Sequence, residues 1–96
     1  MEMNQDNAEA IAIQALAFIA GSGTLLPRFL QLTGIEASAI RQAAGEPGFL
    51  AGVVQFVAAH EPTLIEFCEQ SGHAPQQVMR AMRALPLGDQ TYQTSI

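Results

Sequence analysis

The stretch of residues 47–60, in the middle of the chain, constrains the fold most. It reads Pro-Gly-Phe-Leu-Ala-Gly-Val-Val-Gln-Phe-Val-Ala-Ala-His, with one uncharged polar residue, Gln55, between its ends. Its large apolar residues recur at helical spacing on one face: Phe49, Leu50, Val53, Val54 and Val57. A helix that is apolar nearly all round belongs in a core. This one is too short for a bilayer, which requires about 20 apolar residues. The sequence therefore predicts a buried central helix.

The totals favour one small globular domain. The chain has 96 residues, 49% of them apolar and 14% charged, with a net charge of −5. That length predicts a single domain over residues 1–96, with a folded core of about 7–86 and flexible ends at 1–5 and 89–96. The acidic balance argues against bulk affinity for nucleic acid or anionic lipid. No Lys is present, a composition that hints at a GC-rich bacterial genome.

Cysteine use and the first residues bear on location. Cys68 is the only cysteine, so no internal disulfide forms and a reducing compartment is favoured. Glu2, Asp6 and Glu9 precede or enter the first apolar run, where a secretory signal would carry positive charge. We therefore expect a cytoplasmic protein that does not enter a membrane.

Five further helices follow from apolar periodicity and end signals. They are expected at about 7–20, 25–33, 37–44, 62–71 and 75–85. Asp6 or Asn7 is placed to cap the first. Gly34 and Gly72 stand where a left-handed glycine ends a helix, and Pro47 stands at the first position of the central helix. The predicted fold class is all-α, a compact bundle of five to six helices.

The two halves of the chain match when it is shifted by 38 positions. The paired residues are Phe18 with Phe56, Ala20 with Ala58, Leu26 with Leu64, Phe29 with Phe67, and Gly34 with Gly72. Two amphipathic helices that end in glycine can look alike by chance. The constant spacing over both halves favours duplication instead. It predicts two three-helix units, each with a short helix–glycine turn–helix pair, packed against each other.

Several segments resemble a known family. The first runs Ala8-Glu9-x-Ile11-Ala12-Ile13-x-Ala15-Leu16-x-Phe18-Ile19-Ala20, and the second Arg28-Phe29-Leu30-x-x-Thr33-Gly34. Two more are Pro47-x-Phe49-Leu50 and Phe56-x-x-x-x-Glu61-Pro62. The chain resembles the DUF3572 family of small bacterial proteins, and the likeness covers most of it. The resemblance implies a small soluble helical protein of unassigned function, without catalytic residues to carry over. The chain departs from the family pattern at His73, where an apolar residue is expected.

No constellation for chemistry stands out. Cys68 and His73 form the one Cys–His pair that is close in sequence, but Gly72 separates them, and Cys68 replaces the core residue Leu30 of the first half. Cys68, His60 and His73 together lack the spacing of a zinc site. No phosphate-binding or dinucleotide motif is present. We expect a protein that is not an enzyme and holds no cofactor or metal.

Helix–glycine turn–helix pairs also occur in DNA-binding proteins. Residues 64–83 and 26–44 have the length and glycine placement of a helix-turn-helix. The exposed face of the last helix would carry Gln76, Gln77, Arg80 and Arg83. Gln and Arg can read base edges, but four arginines against nine acidic residues supply little phosphate affinity. Any tight helical pair can use such a turn. DNA binding is therefore the second hypothesis, behind protein binding.

The last helix is the predicted interaction surface. In the repeat comparison Arg41 corresponds to Met79 and Ala44 to Met82, so the second half is more apolar there. Only Pro86 and a polar tail follow this helix. The predicted partner-binding residues are Met79, Arg80, Met82, Arg83 and Leu85, with Leu87 beside them. The partner would be an unidentified protein or a second copy, giving a homodimer. Alternatively, this helix closes against the first, or Tyr92 and Ile96 fold over it.

Overall fold

The computed structural model describes residues 4–46 and 48–85, and every regular element in that part of the chain is helical. The elements are α1 (Gln5–Ala20), α2 (Leu25–Thr33), a 3-10 helix (Ala37–Ala39), α3 (Ile40–Ala43), α4 (Phe49–Ala58), α5 (Glu61–Ser71) and α6 (Pro75–Ala84). The predicted all-α helical bundle is confirmed.

The central helix is α4, as the sequence predicts. Val53, Val54 and Val57 are fully buried, and α4 packs against α1, α5 and α6. Helix α1 lies against both α4 and α6. Its buried face includes three alanines at helical spacing: Ala8, Ala12 and Ala15. Because alanine side chains are small, they permit close approach of the neighbouring helices.

Helix α6 closes against α1, which is one of the alternatives that the sequence left open for this helix. Met82 is only 2% exposed and Leu85 3% exposed, while Met79 is half-buried against the core. The spacing of Val78, Ala81 and Met82 puts them on one buried face. Leu87, Tyr92, Ile96 and the predicted flexible segment 89–96 lie outside the described residues.

Two helix starts differ from the prediction. Helix α1 begins at Gln5, and Asn4 caps it, since the Asn7 backbone N–H donates to Asn4 Oδ1 at 2.7 Å. Neither Asp6 nor Asn7 is the cap, and Gln5 belongs to the helix rather than to a flexible end. Helix α4 begins at Phe49, with Gly48 in the left-handed region at its N-cap. Pro47, predicted at the first position of this helix, lies outside the described residues.

Both predicted glycine ends are confirmed. Gly34 has φ 76° and Gly72 has φ 83°, and each N–H donates to the carbonyl four residues earlier at 2.9 Å. The hydroxyl groups of the residues before these two glycines also make equivalent hydrogen bonds. Thr33 Oγ1 and Ser71 Oγ each accept from the backbone N–H two residues later, at 3.3 Å. The shared Thr/Ser-Gly phrase thus encodes the same turn twice.

The third elements of the two halves differ. The first half ends in a 3-10 helix and the one-turn α3, neither of which contains a fully buried residue. The second half ends in the ten-residue α6, which packs on α1 and α4. The two glycine turns correspond, but the duplicated three-helix units are not confirmed. Duplication therefore stays a prediction.

Within residues 4–46 and 48–85, no single helix is both long and apolar enough to cross a membrane. Helices α1 and α2 reach the required length and composition only as a pair, and they are bent by 112° at their junction.

Candidate interaction surface

An open groove runs between α2 and α4. It consists of two hollows of about 630 Å³ and about 410 Å³, which share Phe29, Thr33 and Gly52 in their linings. The larger hollow lies where the end of α2 meets the start of α4, and the smaller where the start of α2 meets the end of α4. The two helices therefore run in opposite directions along one continuous groove.

Aromatic rings form the floor of this groove. The Phe29 ring meets the Phe56 ring edge-on at 5.3 Å between centroids, and the Phe49 ring at 6.1 Å. Gly52 lies between these rings on α4, and a Cβ added to it would have no neighbouring atom within 4 Å. The space above Gly52 is therefore open, and a larger side chain there would enter the groove without disturbing the core.

Leu32 lines the smaller hollow, next to Thr33, which lines both. It is 68% exposed, more than the other exposed large apolar side chains of the described residues, Ile13 at 57% and Ile65 at 47%. The inner face of α2 carries the buried Phe29 and the partly buried Leu26 and Leu30, and Leu32 lies outside that face. A single exposed leucine is ordinary. A leucine beside an apolar groove extends an apolar patch, and such patches mark binding sites.

The groove carries opposite charges at its two ends. Glu36 and Glu46 line the larger hollow, and no Lys or Arg of the described residues lines it. The cationic Arg28 lines the smaller hollow beside His60, and none of the carboxylates that the structure describes lies in that lining. His60 is held by its neighbour Thr63, with Nδ1 2.8 Å from Thr63 Oγ1. The groove is therefore polarised along its length.

The predicted partner-binding residues lie elsewhere. Met79, Met82 and Leu85 face the core, and none of the three lines the groove. Arg80 and Arg83 are exposed on the opposite face of α6. Sequence reasoning missed the groove because it arises from the separation of two helices. The available signals were Leu32, which is out of phase with its helix, and Gly52 inside a helix.

Comparison with known proteins identifies the family. A family described as "Protein of unknown function (DUF3572)" matches residues 5–88. The chain belongs to the DUF3572 family. No curated protein and no solved structure is significantly similar to it. In this DUF3572 chain, both sides of the groove lie within the matched region.

His73, where the resemblance predicts an apolar residue, makes side-chain contacts with α1 and α5 in this DUF3572 member. Its Nε2 lies 2.6 Å from Gln14 Oε1, and its ring centroid lies 6.3 Å from that of Phe67. Those contacts tie the α5–α6 turn to α1. A hydrogen-bonded imidazole thus occupies a position where the resemblance predicts an apolar side chain.

The remaining reactive side chains of the DUF3572 chain are dispersed. Burial raises the pKa of the Cys68 thiol, which disfavours the nucleophilic thiolate. Cys68 packs against the core, whereas His73 bonds to Gln14. Over the described parts of the chain, no three His, Cys, Asp or Glu side chains are grouped to hold a metal ion.

Proposed function

We propose that this protein is a small, non-enzymatic interaction module of the bacterial cytoplasm, which binds a protein surface along the groove between α2 and α4. The observation that carries the proposal is Leu32, 68% exposed beside a groove floored by Phe29 and Phe56. Burial of apolar area stabilises association by roughly 25 cal/mol per Å² before the costs of binding are subtracted. The single Cys68 fits a reducing compartment.

A helix, or the helical surface of another protein, fits such a groove. Grooves between helices bind amphipathic helices through apolar anchors at helical spacing. The groove supplies aromatic rings at its floor, open space above Gly52, and charged residues at its rim. An apolar centre with a polar rim is the usual anatomy of a protein–protein interface.

Photo-crosslinking tests this proposal. A photoreactive side chain at position 32 is expected to give adducts of defined mass in cells. Gly52→Leu in the same chain should reduce their yield at least about tenfold, because the leucine fills the groove. Position 13, exposed on α1, is the matched control site. Equal yields from positions 13 and 32, or adducts that survive Gly52→Leu, would contradict the proposal.

DNA binding is a second candidate, favoured by one observation on α6. Gln76, Arg80 and Arg83 are all exposed, and their spacing puts them in one line along that helix. The neighbouring α5 exposes Glu66 and Glu69, which repel the phosphate backbone. The net charge of −5 also opposes nonspecific binding.

We expect no measurable affinity for random duplex DNA at physiological salt. The measurement is fluorescence anisotropy with labelled duplex across a salt series. Sub-micromolar affinity that falls with salt, and that is lost when Arg80→Ala and Arg83→Ala are combined, would make DNA binding the better proposal. Arg41→Glu on α3, which lowers the net charge by the same amount as the combined variant, is the control for a change of net charge alone.

A further inference from the structure

The two charged ends of the groove are farther apart than the screening length at physiological salt. Helix α4, from Phe49 to Ala58, is about 14 Å long at 1.5 Å per residue. The screening length at physiological salt is about 8 Å. The acidic end, with Glu36 and Glu46, and the basic end, with Arg28 and His60, are therefore separate features for a docking surface.

We propose that the occupant of this groove is a second copy of the same chain, docked about a two-fold axis that crosses the groove near Gly52. The inference rests on the proposed function and names its partner. A two-fold interface uses the same patch on both copies, so the patch must be complementary to itself.

The charges meet that requirement in one orientation. Rotation about an axis across the groove turns one groove antiparallel to the other, and the acidic end of each copy then faces the basic end of its partner. Arg28 and Glu36 both lie on the α2 side, so Arg28 of one copy faces Glu36 of the other, twice per dimer. The parallel arrangement would place like charges together.

The middle of the groove is apolar, as the centre of such an interface requires. Leu32 lies four residues from both Arg28 and Glu36 and next to Thr33, which lines both hollows. Residues close to a two-fold axis meet their own counterparts, so the exposed Leu32 side chains of the two copies come near each other there. Phe29 and Phe56 form the surface beneath them, and the open space above Gly52 leaves room for an entering side chain. A foreign partner would have to supply an apolar centre and both charges in matching order. This chain already carries all three.

Charge exchange tests the dimer. Sedimentation of the full chain over a hundredfold concentration range is expected to show reversible dimerisation that weakens with salt. Arg28→Glu and Glu36→Arg, each alone, should raise the dissociation constant at least about tenfold, because each creates two repulsive contacts. The double variant should restore the affinity to within about threefold of the wild type. Arg41→Glu, on α3 and outside the groove lining, changes the net charge as Arg28→Glu does and should have no effect.

The outcomes separate this inference from the proposed function. A wild type that stays monomeric, while position 32 crosslinks to a different protein, overturns the homodimer and leaves the interaction module standing. A dimer that is insensitive to Arg28→Glu and to Gly52→Leu uses another face, and that also overturns the inference. A monomer without crosslinks at position 32 overturns both. Circular dichroism of each variant confirms that the helices remain, since Arg28 and Glu36 are exposed.

Discussion

Met82→Glu is expected to lower the free energy of unfolding by at least about 3 kcal/mol, because it replaces a buried apolar side chain by a carboxylate. Met82 is 2% exposed on the face of α6 that packs against the core. Domains of this size are stable by only about 5–15 kcal/mol. Thermal and urea unfolding, followed by circular dichroism, measure the loss.

The loss from Met82→Glu should depend on pH in a defined direction. The unfolded chain releases the glutamate proton at a pKa of about 4.3. In the folded state, burial raises the pKa of the new carboxyl because it disfavours the charged form. The variant is therefore least impaired below about pH 4.3, and stability is lost progressively as pH rises towards the folded-state pKa. Met82→Gln should cost less at neutral pH and show no such dependence.

A surface substitution on the same helix provides the control. Arg80 is exposed, so Arg80→Glu should change stability by no more than about 0.5 kcal/mol. If Met82→Glu melts like the wild type and instead alters self-association, Met82 lies in water. The surface first expected on the last helix would then be correct.

Local signals in the sequence predicted most of the helices. The range 25–33 coincides with α2, and Gly34 and Gly72 end their helices in the left-handed region as expected. These successes share a cause. A glycine C-cap and an apolar stripe are encoded by neighbouring residues, so they can be read without knowing what packs nearby.

The burial of α6 depends on long-range packing, and there the sequence left two alternatives open. The expected interaction surface rested on chain order, in which Pro86 and a polar segment come after this helix. In the fold α6 packs against α1, whose alanine face lies far away in sequence. The spacing of Val78, Ala81, Met82 and Leu85, at i, i+3, i+4 and i+7, already described a face that needs a partner.

Only some of the residues that form the candidate groove could be recognised in the sequence. Leu32 out of phase with α2 and Gly52 inside a very apolar helix are visible in the sequence. The gap between α2 and α4 is not, because it depends on how Phe29, Phe49 and Phe56 hold the two helices apart. The charge at the acidic end of the groove likewise combines residues from separate positions, Glu36 and Glu46.

Replacing either left-handed glycine by valine should lower the free energy of unfolding by about 1–3 kcal/mol. Gly34 has φ 76° and Gly72 has φ 83°, where a β-branched side chain is strained. A Cβ at either position would have no neighbouring atom within 4 Å. Steric collision is therefore excluded as the cause, and the loss would report the backbone conformation itself.

The control is the same substitution at a glycine without positive φ. Gly23 also has open space around an added Cβ, and it is not among the positive-φ glycines of the described residues. Gly23→Val should therefore change stability by no more than about 0.5 kcal/mol. Gly72→Asn should lose less than Gly72→Val, because asparagine tolerates the left-handed region. For a domain of this size each kcal/mol moves the Tm by about 4–8 °C, so a thermal melt resolves the series. Equal melting of Gly72→Val and Gly23→Val would mean that the left-handed turn after α5 is not what ends the helix.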